Sequence, residues 1–477
     1  MSSGMAVEVV IAVQLGVNHT SNACMIKHNP QKECKDFNVP FDTPSIGMSI
    51  TIPTVALFDD KGAIQSYGFE AELQHLQLDN TSNHLLFREF ISDLFCSDET
   101  VPENLIAVNG KQMKSIDVAT AVLGHMINHI KTKSGLQRQS FEFEYMYVLT
   151  LPTCSCIGSK TFMEEAALKA GCLSGNIKIV EETAAILQFC LNNKEDENIK
   201  LLDDLCDRKF LVVECGENNA TMSVLHLINE NTIEILIKEN TEIWKGCHVL
   251  HNFVEMISLK ARKSLVDFFE KYPLEYYDFL QEVKSKIKWM SPNCSELYIK
   301  TSAVKMDDTR SFDGMQESDL RTGTKDELQF KRDKCVIKSK RFQILLTEAG
   351  KSIVDYIEKQ LFTKFPDINE IILAGEFAQS PILQNIIKTS FSAKNVIIPF
   401  RENMAAVRGA VFFGQDRVSV VTDIVPDMQH TPLNNAQVAL PKALSKKKRL
   451  KKIMLSDGTP SSSKSKESSK QKLCVVL

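Results

Sequence analysis

The sequence predicts an α/β protein of two lobes built twice on one plan. Three observations carry this. Strand-like and helix-like segments alternate through residue 414. The series strand–strand–strand–helices–strand–helix runs through twice. Each half opens on an apolar strand that runs into a glycine turn, Gln14-Leu15-Gly16 in the first and Glu214-Cys215-Gly216 in the second. The repeat lies in the architecture, not in the residues themselves. A duplicated α/β fold places its ligand in the crevice at the carboxyl ends of the strands, between the halves.

Taken in order, Glu8–Val13 is a short β-rich run, and Ala23–Lys27 and Thr51–Phe58 are the candidates to pair with it. Val118, Ala121, Val122, Met126 and Ile130 fall at helical spacing within 116–130. Tyr145–Leu151 is a buried-strand candidate closed by Pro152. Ser159 then reads as a helix N-cap, Phe162, Met163, Ala166, Ala167 and Ala170 share one face, and Gly171 is the stop. Lys178–Val180 is a short strand, and Thr183–Leu191 a helix. The second half begins with the strand Phe210–Val213, with Thr221–Ile228 and Thr232–Lys238 as antiparallel partners. Val249–Ala261 and Tyr276–Trp289 read as helices, and the polar stretch Ser302–Lys334 as an exposed insertion. Ile344, Leu345, Ala349, Ile353, Tyr356, Ile357 and Leu361 mark a long helix. The strand Ile371–Ala374 and the helices Pro381–Phe391 and Glu402–Gly414 complete the body. The expected division is therefore 1–205 for the first lobe, 206–416 for the second with an insertion at 302–334, and 417–477 for a flexible basic tail.

Composition agrees. The 477 residues allow two to four domains at roughly 100–200 residues each, and 43% apolar with 24% charged residues suffices for a buried core. No apolar run approaches the roughly 18 residues of a membrane helix. The stretch Met5–Val17 carries Glu8 and Gln14 and makes a poor signal peptide. Thirteen cysteines without framework spacing point to reduced intracellular thiols. The net charge of −4 hides an asymmetry: eleven Lys and Arg against Asp457 and Glu467 between 442 and 472 make that stretch +9 and leave −13 elsewhere. An acidic body and a basic tail have different partners.

Strand-then-glycine turns expose backbone N–H groups that bind phosphate oxygens. Three occur here in the right setting: Gln14-Leu15-Gly16-Val17-Asn18, Glu214-Cys215-Gly216-Glu217-Asn218-Asn219-Ala220-Thr221, and Gly375-Glu376-Phe377-Ala378-Gln379-Ser380-Pro381. Two connecting segments join them, Glu181-Glu182-Thr183-Ala184-Ala185 and Ala406-Val407-Arg408-Gly409-Ala410. In order and spacing these five motifs resemble the actin/sugar-kinase/70-kDa heat-shock ATPase superfamily, with its ribonuclease H-like fold, and within it the divergent 12A/12B branch. Leu151-Pro152 through Gly171 and Trp244-Lys245-Gly246 resemble that branch as well. The likeness covers roughly residues 8–416.

The resemblance implies a site for ATP or ADP with Mg²⁺, in which catalysis is positioning and charge neutralisation. It assigns nucleotide contacts to Gly16, Val17, Asn18, Gly216, Asn219, Gly375 and Glu376, and residual catalytic carboxylates to Glu181 and Glu214. The departures argue against full activity. Gln14 stands where the family has an acid that orients the metal's water, which removes one negative charge. Thr221 replaces another acid, so two of four remain. Asn219 and Val17 replace hydroxyl residues. Glu217 and Asn218 replace glycines where backbone must approach the phosphates. A glutamate beside an anionic ligand repels it by up to ~4 kcal/mol at 4 Å and an effective dielectric of 20, and Glu376 repeats the problem in the adenosine motif. The expectation is a degenerate cleft that binds nucleotide weakly or not at all, requires no cofactor and has no metal site of its own. The alternative is a working ATP-binding, weakly hydrolysing chaperone-like protein. About 60 residues follow Gly414, rich in Lys, Ser and Pro, so no peptide-binding β-sandwich is expected.

The chain ends Cys474-Val475-Val476-Leu477, a prenylation box whose final Leu favours geranylgeranyl. It follows Lys446-Lys447-Lys448-Arg449-Leu450-Lys451-Lys452 and a Ser/Lys stretch. One lipid chain binds reversibly, and basic residues add ~1 kcal/mol each near an anionic leaflet. The expectation is a cytoplasmic, membrane-associated scaffold or regulator, lipid-anchored at Cys474, with unidentified protein partners. The alternative is a nuclear-targeted adaptor with an unmodified tail. Phosphorylation at Ser445, Ser456 or 461–463 would offset the tail's charge. Cys24, His28 and Cys34, or Cys154 and Cys156, have no matching second pair, so zinc is not expected. Cys215 reads as a buried thiol and Trp244 as a packing residue. Basic residues in the body are balanced by acids, so nucleic acid is not an expected partner.

Overall fold

Two large sheets repeat one topology. The computed structural model describes residues 7–27, 36–43, 47–78, 83–96, 100–134, 143–193, 206–216, 220–241, 273–300, 328–331, 334–399, 404–415 and 419–421. Contacts divide the chain into Met1–Asp423 and Ile424–Leu477, and every described element lies in the first unit.

The chain opens with β1 (Val7–Leu15) and β2 (His19–Lys27), which pair antiparallel, and β3 (Asp36–Phe37) and β4 (Thr51–Pro53) both pair with β2. A separate three-stranded sheet follows, β5 (Val55–Phe58), β6 (Ile64–Tyr67) and β7 (Leu85–Arg88). Helix α1 (Phe69–Gln77) lies between β6 and β7, and α2 (Phe90–Phe95) and α3 (Ser115–Lys133) come next. Then β8 (Phe143–Leu151) joins β1 in parallel, α4 (Ser159–Lys169) crosses over, β9 (Ile177–Glu181) joins β8 in parallel, and α5 (Glu182–Asn192) leaves the sheet.

The second half has the same order. Strands β10 (Arg208–Cys215), β11 (Ala220–Asn229) and β12 (Thr232–Thr241) form an antiparallel meander. Helix α6 (Pro273–Lys288) precedes a small sheet of β13 (Glu296–Lys300), β14 (Leu328–Lys331) and β15 (Lys334–Lys338), with β15 central. Helix α7 (Lys340–Tyr356) leads through a π-turn at Ile357–Leu361 to β16 (Glu370–Ala374), parallel to β10. Helix α8 (Pro381–Ser390) crosses over to β17 (Asn395–Ile397), α9 (Ala405–Phe413) follows, and β18 (Ser419–Val421) adds to β12. The sheet orders are β9-β8-β1-β2-β3 and β17-β16-β10-β11-β12-β18. Counterparts therefore match one for one, β1 with β10, β8 with β16, α5 with α9. The duplicated α/β fold is present.

Strand periodicity sorts the core. Successive side chains face opposite sides of a sheet. Val9, Ile11 and Val13 pack under α3 and α4, beside Val122, Met126 and Met163. Leu211, Val213 and Cys215 do the same against Val283 of α6 and Phe342 and Leu346 of α7. The opposite faces, Val10 and Ala12 of β1 and Phe210 and Val212 of β10, meet a third cluster containing α5 and α9. The two sheets thus share the α5/α9 layer. Small residues make it possible: a Cβ on Gly409 would fall 1.8 Å from the Ala185 carbonyl oxygen. Lys178 Nζ donates to the Phe413 carbonyl at 2.8 Å and ties the end of α9 back to β9.

Several expectations need correction. The run Thr51–Phe58 is two strands, and neither pairs with β1: β4 pairs with β2, and β5 belongs to the separate sheet. Thr54, buried between them, donates its backbone N–H to the Asn18 carbonyl and so breaks the run. Gly158 at φ +85°, not Ser159, is the N-cap of α4. The expected insertion reaches less far, because Leu328–Lys331 and Lys334 are paired strand. Cys96 and Cys154 are joined, with Cα atoms 5.2 Å apart, so the reading of all thirteen cysteines as free thiols fails at this pair. The helix expected at Val249–Ala261, Trp244-Lys245-Gly246, His28, Cys34, Glu217, Asn218, Asn219, Glu402 and the tail with Cys474 lie outside the described residues.

Candidate functional site

Four strands end at one place. The carboxyl ends of β1, β8, β10 and β16 surround a cleft of about 140 Å³. Gly16, Val17 and Asn18 of the β1–β2 turn line it, as do Gly216 after β10 and Gly375 and Glu376 after β16. Pro152, Thr153 and Cys154 form the wall beyond β8. The three glycine turns, distant in sequence, converge because parallel strands in each sheet end on the same edge.

The first turn is a tight hairpin. Gly16 N–H donates to the His19 carbonyl at 3.1 Å, and Thr54 Oγ1 donates to the Gly16 carbonyl at 2.8 Å. The third turn depends on glycine. Gly375 has φ +91°, and a Cβ there would meet the Cys215 backbone at 2.7–2.9 Å. The turn continues as a 3₁₀ segment, Glu376–Gln379, with Phe377 and Ala378 buried.

Register builds the floor. Gln14 stands opposite Ser21 on β2 and Thr150 on β8. Ser21 Oγ donates to Gln14 Oε1 at 3.0 Å, which turns the amide so that Nε2 donates to Glu182 Oε1 at 2.8 Å. Thr150 Oγ1 approaches the same carboxylate oxygen at 3.5 Å. Glu214 occupies on β10 the place that Gln14 has on β1. It stands opposite Thr221, whose Oγ1 donates to Glu214 Oε2 at 3.4 Å. Glu182 and Glu214 therefore face the cleft from different halves. Burial pushes the Glu182 carboxyl well above the ordinary range, and the nearby Glu214 charge raises it further. Burial also pushes Glu214 up, to about 7, against the opposing hydrogen bond from Thr221. With both carboxyls raised by burial and Glu182 raised further by the Glu214 charge, the two titrate as a pair and not singly.

Glu181, the carboxylate expected to act here, is elsewhere. Its Oε1 is 2.9 Å from Lys238 Nζ on β12, and it does not line the cleft. Glu182 faces the cleft in its place. The motif Glu181-Glu182 offers two acids, and the turn from β9 into α5 decides which one faces inward.

Glu376 also differs from expectation. Its carboxylate is not an isolated negative charge in an anion site. Oε2 lies 3.0 Å from His19 Nδ1, and Oε1 lies 3.3 Å from Lys288 Nζ at the end of α6. Neither partner was legible. His19 stands next to the first motif but has no counterpart within it, and Lys288 is 88 residues away from Glu376 in sequence. Thr153 Oγ1 is a further surprise: it is buried on the cleft wall with no hydrogen-bond partner among the described residues. Cys215 is fully buried, and burial pushes its thiol up, as expected of an unreactive thiol. No cluster of three metal-ligating side chains occurs among the described residues.

Among the described residues the cleft is small. Ligand pockets run to ~300–1,000 Å³, and the cleft encloses about 140 Å³. His19 and Lys288, the basic side chains that line it among the described residues, are already engaged by Glu376.

Three relatives show what the chain is similar to. It is 22% identical to mouse (Mus musculus) heat shock 70 kDa protein 12A, over 94% of this chain and 75% of the relative. Human (Homo sapiens) heat shock 70 kDa protein 12B is 21% identical, over 85% of this chain and 68% of the relative. Chaperone protein DnaK of Mycoplasmopsis pulmonis is 24% identical, over 88% of this chain and 61% of the relative. No protein-family model matches the chain.

Proposed function

We propose that this chain, similar over most of its length to heat shock 70 kDa proteins 12A and 12B and to DnaK, is a divergent 70-kDa heat-shock-like protein that has kept the ATPase-type body but lost hydrolysis, and acts as a binding scaffold or regulator. One observation carries the reading. The elements that would surround Mg-nucleotide are satisfied by one another: Gln14 by Ser21 and Glu182, Glu214 by Thr221, and Glu376 by His19 and Lys288. A site whose polar groups already pair must break those pairs before it takes a ligand, and that lowers its affinity.

Isothermal titration of the full chain with Mg-ATP tests this. The expected result is no saturable heat at micromolar concentrations and no phosphate release. Micromolar affinity with turnover would sink the reading. It would favour the second one, a working nucleotide binder, which the convergence of three glycine turns and the survival of Glu214 support.

We further propose that the chain is tethered to an anionic cytoplasmic membrane face through geranylgeranylated Cys474 and the basic segment before it. The motivation is in the residues: a terminal Cys-Val-Val-Leu behind eleven Lys and Arg between 442 and 472. Prenyl chain and basic patch are the two signals that stable anchoring takes. No helix among the described residues is long and apolar enough to cross a membrane. Fractionation of a Cys474→Ser variant is the test. Release into the soluble fraction supports the tether; an unchanged distribution, or accumulation of the unaltered chain in nuclei, refutes it.

A further inference from the structure

We propose that the Glu376 carboxylate is a built-in substitute for a bound phosphate group: it plugs the cleft by occupying the pair of basic side chains formed by His19 and Lys288. The proposal rests on reading the cleft as a nucleotide site that has lost its ligand, and it names what replaced that ligand.

The geometry is that of a small anion held by two basic side chains from separate elements. His19 opens β2 in the first sheet, Lys288 closes α6, and Glu376 follows β16 in the second sheet. One carboxylate spans all three, with one oxygen 3.0 Å from His19 Nδ1 and the other 3.3 Å from Lys288 Nζ. A phosphate oxyanion would bridge the same groups in the same way. The triad is not a loose surface pair, since the three side chains are 32%, 15% and 26% exposed for His19, Lys288 and Glu376.

Glu376 is also held in place. Gly375 allows no side chain against Cys215, and Phe377 and Ala378 are buried immediately after Glu376. Its position follows from the core behind it. Burial alone would raise the Glu376 carboxyl; the charges of His19, Lys288 and Lys284 outweigh it and hold the group well below the usual carboxylate range. The group therefore stays a full anion. A neutral amide at 376 would remove the anionic partner of both basic side chains, which face a cleft bounded by three glycine turns.

The ligand class that competes with Glu376 is a phosphate oxyanion, either free polyphosphate or the phosphates of a nucleotide. Thermal unfolding of the full chain, with magnesium pyrophosphate in one arm and magnesium ADP in the other, separates the two sources. The unaltered chain is expected to show no shift at millimolar ligand. The variant Glu376→Gln is expected to gain apparent pyrophosphate affinity by about tenfold or more, read as a rise in midpoint that grows with ligand. Adding Lys288→Gln should abolish that gain. An extra rise with ADP over pyrophosphate assigns the ligand to nucleotides; an equal rise assigns it to free phosphates.

A folded Glu376→Gln chain that binds neither anion better than the unaltered chain overturns the proposal and leaves the degenerate-cleft reading standing. Tight Mg-ATP binding with turnover by the unaltered chain defeats that reading instead. A second measurement needs no variant. At concentrations well above the millimolar range that leaves the midpoint unmoved, pyrophosphate should displace Glu376 in the unaltered chain and speed amide exchange at 376–380. Unchanged exchange there also overturns the proposal.

Discussion

Replacing Glu214 by Gln should stabilise the protein, and more so as the pH rises. Glu214 and Glu182 reach the cleft floor from opposite sheets, and burial raises both carboxyls. A carboxyl whose folded pKa is raised binds its proton more tightly in the folded chain than in the unfolded one. Its contribution to stability is complete below about pH 4.5 and is lost as the pH rises through about 7. A displacement from 4.5 to about 7, at about 1.4 kcal/mol per pH unit, corresponds to about 3 kcal/mol. Glu214 is partly open to the cleft, and solvent there screens its charge, so the expected gain at pH 8 is on the order of 1–3 kcal/mol. Glutamine keeps the shape, still accepts from Thr221, and can donate to Glu182. Urea unfolding at pH 5 and pH 8 measures the effect, with amide exchange along β10 as a local readout should the two halves unfold separately. The variant should match the unaltered chain at pH 5 and exceed it at pH 8. Equal pH profiles, or a variant less stable at pH 8, would refute the paired-titration account of the floor.

Three further outcomes follow from the same structure. Gln14→Asp removes the donor to Glu182 and adds a third carboxylate, so it should cost about 2–4 kcal/mol at pH 8 and less at pH 5, where protonation relieves the repulsion; chemical denaturation at the two values checks this. Gly409→Ala forces a methyl into the Ala185 carbonyl and should cost at least about 3 kcal/mol or prevent folding, read from soluble yield and melting temperature. Asp at 461–463 and at 445 and 456 should weaken attachment of the chain to anionic vesicles by about 1 kcal/mol for each charge offset, measured by co-sedimentation.

Much of the fold was open to reading in one dimension. The runs Val9–Val13 and Phe210–Val213 are continuous apolar segments, as strands buried on both faces must be, and each leads into a glycine turn. Order and spacing of those turns were enough to indicate a duplicated α/β body with a cleft at the strand ends. Local punctuation was less legible. Thr51–Phe58 reads as one strand because its break depends on the hydrogen bond from Thr54 to Asn18, a partner that periodicity does not reveal.

The cleft was legible in its backbone and not in its side-chain pairing. Gly16, Gly216 and Gly375 stand out because glycine is a statement about backbone, and backbone shape is local. What their neighbours do is a matter of partners. Whether Glu181 or Glu182 faces inward depends on where α5 begins and on Lys238, 57 residues further on. Glu376 looked like a repulsive charge until His19 and Lys288 arrived from other elements. The sequence by itself determined the chain's class, its repeated plan and the location of its cleft, because these rest on periodicity and glycine placement. Only the tertiary structure decided which charges in that cleft neutralise one another, because electrostatic energy depends on separation in space, and folding sets that separation.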